Sequence, residues 1–445
     1  MSDHSTVLDR TDSLCPVCLK TIPAEMVERG GKVFLDKTCP QHGPQSVYLW
    51  PDANQYRWFQ AFSMPPWRPP SWKPVVQTET SAGCPLDCGL CSIHAKHPTV
   101  AEIEVTLRCN LRCPVCFMAA GDAPADPSME TIASMFAAIR RDSGLQTAVQ
   151  LTGGEPTVRK DLPEILRLGR DLGFCAIEVN TNGIVIGGDP GYIRALKQAG
   201  ISGIYLQFDG LTRQVYQQIR GADLLETKLR AVEHCRLAGV QAVLAMTVIW
   251  GINHDQLGDV LRFALENQDV IAGVAYQPAF SSGRFDVTSE RSLTMGDVVL
   301  MLAAQSGGLL DPYDFWPLGC SHPLCSCATY IVNDHGNRVP FTRYLTPEEY
   351  VQSFDPESPQ GSVFADIAAR RHPELGPGLS VVVMNYMDAM TVDVNRLKEC
   401  SMVEVMEDGR MIPFCAYQLS DRHGKRLYPA LGRVGSLRPP EKAHV

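Results

Sequence analysis

Nowhere in the 445 residues does an apolar run reach the length needed to cross a bilayer, so no membrane-spanning helix is expected. The start, Met1-Ser2-Asp3-His4, lacks the basic-then-apolar layout of a secretory signal. Positive charge is also short: 40 Lys and Arg against 49 Asp and Glu leave a formal net charge of -9. That balance gives no footprint for a polyanion, so nucleic acid is excluded as an expected partner. No basic amphipathic helix is visible either, which disfavours firm docking on an anionic membrane. The expectation is a cytoplasmic protein, with peripheral contact at a membrane surface as the alternative. Hydrophobic residues at 45% and charged residues at 20% describe an ordinary folded chain, long enough for two or three domains.

Cysteine, in contrast, is abundant, with 16 residues. In a secreted chain these would suggest disulfides. Without a signal, and with Cys-x2-Cys and Cys-x3-Cys-x2-Cys spacings, metal ligation in a reducing compartment is the better account. Cys15-Pro16-Val17-Cys18 and Cys39-Pro40-Gln41-His42 are two knuckles about twenty residues apart, the spacing of a tetrahedral zinc ribbon. His42 in the fourth place favours zinc over rubredoxin-type iron, which takes four thiolates. The site is closed, so its expected role is structural: so short a module, residues 1–50, gains from the ion the folding energy its small core lacks.

Residues 51–98 form the next unit. Trp58, Phe59, Phe62, Trp67 and Trp72 lie among Pro65, Pro66, Pro69, Pro70 and Pro74, which predicts an extended strap rather than a helix or strand. Packing across the neighbouring domain is its simplest role, and an apolar lid is the functional one. A first cysteine triplet follows, Cys84, Cys88 and Cys91.

From 99 to 288 strand-like and helical patterns alternate. Strands are expected at 103–107, 148–151, 176–180, 203–208, 242–249 and 273–277. Helices are expected around Ile132, Met135, Phe136 and Ile139, and at 161–172, 190–199, 212–238 and 254–267. Six such units in series predict an α/β fold, a parallel sheet curled into a partial (β/α)6 barrel. Chemistry in barrels gathers at the carboxyl ends of the strands. There the chain places Cys109, Cys113 and Cys116, then Gly153-Gly154-Glu155-Pro156, then Asn180 and Asn182, then Asp209. A [4Fe-4S] cube normally takes four thiolates, so three closely spaced ones imply an iron left open to another ligand.

After 289 the alternation stops, and residues 289–445 are expected to form a cysteine-dense α+β domain over the barrel mouth. Its cysteines are Cys320, Cys325, Cys327, Cys400 and Cys415. The first triplet lacks one thiolate, and one plus four of these five would complete two auxiliary [4Fe-4S] clusters. Which of them joins the first triplet stays open, and Cys325 and Cys327 are either both ligands or one is spare. Residues 403–413 read as a hairpin turning at Glu407-Asp408-Gly409. Cys175 and Cys235 read as buried apolar thiols.

The Cys109, Cys113 and Cys116 triplet, with Phe117 after it and the Gly153-Gly154-Glu155-Pro156 turn, resembles the radical S-adenosylmethionine (SAM) superfamily over residues 100–285. The resemblance implies that the open iron chelates the methionine moiety of SAM, with Glu155 accepting from its ammonium group and Asn180, Asn182 and Asp209 serving the ribose or the carboxylate. It implies a 5′-deoxyadenosyl radical able to take hydrogen from an unactivated carbon, the cofactor supplying the hard chemistry. A closer resemblance rests on the ribbon and on three segments. These are Ala82-Gly83-Cys84-Pro85-Leu86-Asp87-Cys88-Gly89-Leu90-Cys91, Tyr205-Leu206-Gln207-Phe208-Asp209-Gly210 and Ile412-Pro413-Phe414-Cys415-Ala416-Tyr417. They are similar to a subfamily that includes archaeal tetraether lipid synthase and dihydropterin methylating enzymes. That implies three [4Fe-4S] clusters plus zinc, and a one-electron donor such as flavodoxin or ferredoxin. Coupling of lipid alkyl carbons is the leading expectation, supported by apolar side chains such as Trp67, Trp72, Met384, Met387 and Met390. Methylation of a pterin-like small molecule is the alternative. A non-catalytic iron–sulfur scaffold would have no use for the Gly-Gly-Glu-Pro turn.

Overall fold

Four short strands open the chain: β1 (Thr6–Leu14), β2 (Thr21–Arg29), β3 (Lys32–Cys39) and β4 (Gly43–Trp50), paired antiparallel in that order. They belong to a computed structural model that describes residues 5–64, 75–121, 125–287, 289–354 and 363–428. One face of this small sheet (Ala24, Met26, Val33, Leu35) joins the main core of the molecule. Lys37 fastens it elsewhere. Its buried ammonium donates to the carbonyls of Leu14 (2.8 Å), Ala389 (3.1 Å) and Met390 (2.7 Å).

The strap expectation needs correction in its first part. Ala53–Gln60 is a helix, α1, capped by the Asp52 carboxylate on the Asn54 amide at 2.7 Å. Prolines begin only at Pro65, too late to break it, and Tyr56 and Phe59 fall on one buried face against Trp50. The proline-rich stretch 65–74, with Trp67 and Trp72, lies outside the described residues.

All six expected barrel strands form. With the short strand β6 (Val115–Cys116) they are β5 (Val100–Thr106), β7 (Ala148–Gly153), β8 (Ile177–Thr181), β9 (Gly203–Gln207), β10 (Ala242–Val248) and β11 (Ile271–Pro278). The order β5-β7-β8-β9-β10-β11 is parallel throughout. Helices return the chain between them: α2 (Met129–Asp142), α3 (Leu162–Asp171), α4 (Ile184–Gly188), α5 (Pro190–Gln198), α6 (Arg213–Arg220), α7 (Leu225–Ala238) and α8 (Leu257–Glu266). The segment read as one helix over 212–238 is two, because Gly221 takes a left-handed φ of 75° and ends α6.

Every barrel strand carries apolar residues on the face toward the helices. Ile103 and Val105 of β5 are fully buried, as are Ile132, Met135, Phe136 and Ile139 of α2. Burying each such side chain contributes about 1.5–3 kcal/mol. In β5, β7, β8 and β9 the other face is polar: Glu102 and Glu104, Gln150 and Thr152, Glu178 and Asn180, Tyr205 and Gln207. Parallel strands packed on both faces read as near-continuous apolar runs. This alternation means that the barrel interior is a lined space, not a second core.

The C-terminal third has α+β content, and its strands join the barrel sheet instead of forming one of their own. They follow β12 (Arg284–Phe285) and helix α9 (Met295–Gln305) as β13 (Trp316–Pro317), β14 (Ser326–Asp334), β15 (Asn337–Pro340), β16 (Leu379–Met384), β17 (Met402–Val405) and β18 (Met411–Pro413). β16 pairs parallel with β11 at one edge, β17 pairs parallel with β5 at the other, and β12 pairs with β6. β17 and β18 form the expected hairpin, with Gly409 in its turn at φ 83°. None of the described helices is long and apolar enough to cross a membrane.

Candidate active site

Two glycines bring the chemistry-bearing turns together. At the end of β7, Gly153 takes φ 124°, and a side chain there would meet the Thr106 carbonyl at 2.0 Å. At Gly154 it would meet the Arg108 carbonyl at 2.3 Å. No other residue allows this approach. It lets the Gly154 amide donate to Thr106 O (2.7 Å) and the Glu155 amide to Arg108 O (2.9 Å), one residue before Cys109. The cysteine loop is held from the far side by Arg284 on the Cys113 carbonyl (2.9 Å) and by Arg220 on the Val115 carbonyl (3.0 Å).

Cys109, Cys113 and Cys116 line the top of a cavity of about 1160 Å³ that runs down the barrel interior. Burial pushes the Cys109 thiol up to about 12, with the charges of Glu155, Cys113 and Cys116 adding to it, and burial raises Cys113 as well. Two partly buried thiols whose ionisation burial opposes, with Cys116 beside them, fit a cationic metal centre, which would supply the missing positive charge. All three open onto the cavity, so a metal held by them would have a side facing it.

Of the second group of expected residues, some face this cavity and one does not. Glu155 lines it, and Oε1 accepts from the Thr157 amide (3.1 Å), the Thr157 hydroxyl and the Thr181 hydroxyl (2.6 Å), while Oε2 accepts from the Asn182 amide (2.6 Å). Oε2 therefore keeps acceptor capacity for a ligand. Asn182 donates to Asn110 Oδ1 at 2.7 Å, tying the end of β8 to the cysteine loop. Asp209 requires correction. It is fully buried, and its carboxylate is taken by a two-pronged contact with Arg220 (both 2.7 Å) and by the Thr247 amide (3.2 Å). The residue it presents to the cavity is Arg220, which stands beside Cys113 and went unread in the sequence. Lys228 was also missed: fully buried, it donates to the Asn182 carbonyl and to Gln207 Oε1 (2.9 Å). Burial lowers it to about 7.

Below the thiols the cavity wall is aromatic and thioether-rich. Phe117 stacks on Phe280 at 5.8 Å, Tyr386 contacts Phe280 (5.4 Å) and Phe414 (4.7 Å), and the Tyr386 hydroxyl donates to Met384 Sδ at 3.3 Å. Of the three methionines expected near substrate, Met384 lines the cavity, Met387 is buried in a separate core, and Met390 is exposed. Lower still, Glu404, Glu102, Gln150 and Glu178 stand in one register row across β17, β5, β7 and β8. Burial pushes Glu102 up to about 7 and raises Glu178 and Glu404. The signal for these residues was present in the strict polar–apolar alternation of strands that a parallel sheet ordinarily buries on both faces.

The remaining cysteines fall into three places. Cys15, Cys18, Cys39 and His42 present donor atoms all within 4.8 Å of one another. His42 Nδ1 lies 3.4 Å from the sulfurs of both Cys15 and Cys39. These are the edges of a tetrahedron around an ion bound at about 2.0–2.3 Å, so the residues fit zinc. Cys84 and Cys88 lie together, the preceding loop held by three amides on Asp87 Oδ2 (2.6–2.7 Å). Cys88 shares a core with Cys415. Cys325, Cys400 and Cys415 feel one another's charge, and Arg396 donates to Cys325 at 3.4 Å. Cys320 and Cys327 instead face Tyr350, Cys320 at the cavity wall and Cys327 within β14 opposite Val383. Of the five, Cys325, Cys400 and Cys415 are thus the three that act on one another, while strand pairing carries Cys327 into the main core. Cys235 is buried as expected, whereas Cys175 precedes β8 in a loop and is exposed.

A model of the radical SAM superfamily matches residues 103–264, and one of the HMPTM N-terminal zinc ribbon domain matches residues 7–51. The chain is 33% identical to a 7,8-dihydro-6-hydroxymethylpterin dimethyltransferase of Methanocaldococcus jannaschii, covering 93% of this chain and 94% of that protein. It is 28% identical to a probable GTP 3′,8-cyclase of Sulfurisphaera tokodaii, over 38% of this chain and 53% of the other. Among solved structures, Streptococcus suis SuiB bound to S-adenosylmethionine covers 72% of this chain and 61% of its own, with TM-score 0.45 and 14% identity.

Proposed function

Since the chain belongs to the radical SAM superfamily of enzymes, we propose that it methylates a pterin-like small molecule by radical chemistry. The observation that carries this reading is the cavity floor. Glu102, Gln150, Glu178 and Asn180 line it, and a substrate rich in N–H donors would satisfy them. An alkyl chain could not. Coupling of lipid tails, the leading expectation from sequence, would leave buried carboxyl and amide groups facing hydrocarbon at a cost of about 1–3 kcal/mol each. The end-to-end likeness to a pterin dimethyltransferase supports the same choice.

In this reading Cys109, Cys113 and Cys116 would hold a [4Fe-4S] cluster, and Glu155 with the Gly153-Gly154 turn would orient SAM against it. Bound there, the cluster would supply the electron for reductive cleavage of one SAM to methionine and a 5′-deoxyadenosyl radical, a second SAM being the methyl source. The protein's own part is positioning. Asn182 fixes the cysteine loop through Asn110, and Asp209 aims Arg220 beside Cys113. The Phe117, Phe280, Tyr386 and Phe414 wall would keep water from a reactive carbon. Cys325, Cys400 and Cys415, with Arg396 offsetting their charge, would hold one auxiliary cluster, and Cys84, Cys88 and Cys91 another. Cys15, Cys18, Cys39 and His42 would hold zinc.

The test is product mass. Reconstituted protein is incubated with dithionite, SAM and either 6-hydroxymethyl-7,8-dihydropterin or a lipid extract. The expected result is a pterin carrying an added methyl group, together with 5′-deoxyadenosine. A lipid product short of two hydrogens, with the pterin unchanged, overturns the reading in favour of coupling.

A further inference from the structure

The lower cavity holds acceptors that the protein leaves open. Gln150 Nε2 donates to Glu178 Oε2 at 2.9 Å, and Asn180 Nδ2 donates to Gln150 Oε1 at 3.2 Å, so this short chain fixes the direction of both amides. Asn180 Oδ1 is then a buried acceptor without a donor, and it lines the cavity. Next to it, no donor among the described residues reaches Glu178 Oε1, and Oε2 keeps a second lone pair. Across the floor, Gly203 stands in register with Glu178 and offers no side chain to cover the carboxylate. A carboxylate beside an amide oxygen matches a flat ring that presents adjacent N–H donors on one edge. A charge-assisted pair of parallel bonds is the strong form of such recognition.

Charge narrows the ligand further. Among the described residues lining the cavity, Arg220 is the one cation and is already paired with Asp209, against Glu102, Glu155 and Glu178; Asp269 is paired with Arg236. A nucleoside triphosphate shares the 2-amino-oxo edge but would bring its phosphates into this field. An uncharged ring would not. From the floor upward the wall continues through Tyr205, Met384 and Tyr386 to Phe117, next to Cys116, so a ring anchored at the bottom extends toward the thiols.

Building on the pterin reading above, we propose that Glu178 is the specificity residue of this site. Its carboxylate accepts the 2-amino and ring N–H donors of the pterin, with Asn180 Oδ1 beside it, and so turns the substituted end of the ring toward Cys109, Cys113 and Cys116.

The test uses the cluster-loaded, zinc-loaded full chain and equilibrium binding of three probes: 6-hydroxymethylpterin, its 2-oxo counterpart 6-hydroxymethyllumazine, and GTP. Wild type is expected to prefer the 2-amino ring, and GTP should fail to displace it. Glu178→Gln should weaken binding of the pterin about 10- to 100-fold, the worth of a charged hydrogen-bonded pair, and erase the preference over lumazine. Asn180→Ala should weaken it less, about threefold to tenfold. Unchanged cluster absorbance and melting temperature certify that each variant is folded. Undiminished pterin binding by folded Glu178→Gln overturns this assignment and leaves the methylation reading standing. Displacement of the pterin by GTP overturns it too. If wild type binds neither pterin nor lumazine, the methylation reading itself fails and takes this one with it.

Discussion

The N-terminal ribbon and the loop after β5 both gather cysteines, yet they are built for opposite ends. In the ribbon four donors close on a point, two on each of the knuckles that the antiparallel sheet carries, and the cavity does not reach them. In the barrel three thiols stop short of closure and open onto about 1160 Å³ of space. The ribbon's neighbours are backbone carbonyls gripping Lys37, whereas the barrel's are ionisable groups, Glu155, Arg220 and Lys228. Number of ligands and access, more than ligand type, separate a site that holds a fold from one that reacts.

The largest expected effect comes from removing one donor at the open site. Cys113→Ala should lower SAM cleavage by about three orders of magnitude or more while zinc stays bound, measured as 5′-deoxyadenosine release and metal content. Retained cleavage would erase the distinction. The matching change in the ribbon, Cys39→Ser, should release zinc and lower stability by several kcal/mol in thermal melts, with cleavage falling less than about tenfold. A loss of cleavage as deep as that of Cys113→Ala would make the ribbon part of the reaction.

A smaller effect concerns pH. Burial lowers Lys228 from 10.5 to about 7, so between those values the unfolded chain binds more protons than the folded one. Stability should therefore rise with pH from about 7 to 10.5, by up to about 1.4 kcal/mol per unit. Lys228→Met should flatten that rise in denaturant titrations at pH 7 and 9.5; an unchanged slope would mean that Lys228 titrates normally. Least of all is expected at Cys175, whose thiol is exposed and unshared. Cys175→Ser should shift stability by less than about 0.5 kcal/mol and leave cleavage intact.

Much of the barrel was legible because its signals are local. Strand runs at 148–151 and 203–208 and the stripe Ile132, Met135, Phe136, Ile139 each follow a period set by backbone geometry. The cysteine loops and the Gly153-Gly154-Glu155 turn were legible because ligation demands close spacing. What escaped depends on contacts distant in sequence. Asp209 looked available until α6 delivered Arg220 to it, and Lys228 is defined by a carbonyl 46 residues away. Cys327 was counted with its neighbour Cys325, but pairing of β14 with β16 separates the two. The helix at 53–60 was lost to prolines that begin after it. The polar floor was written plainly in Glu102, Gln150, Glu178 and Asn180, and needed only the question of why a buried parallel strand should alternate.

The way β16 and β17 flank the barrel sheet has a consequence for how the chain is made. While residues up to about 288 leave the ribosome, β5 and β11 are raw edges, each a row of unpaired amides and carbonyls inviting another chain. One is sealed only when residues 379–384 arrive, the other only with 402–405. The nascent barrel therefore waits for its own tail, and its most aggregation-sensitive moment falls late in synthesis, when most of the barrel's mass already exists.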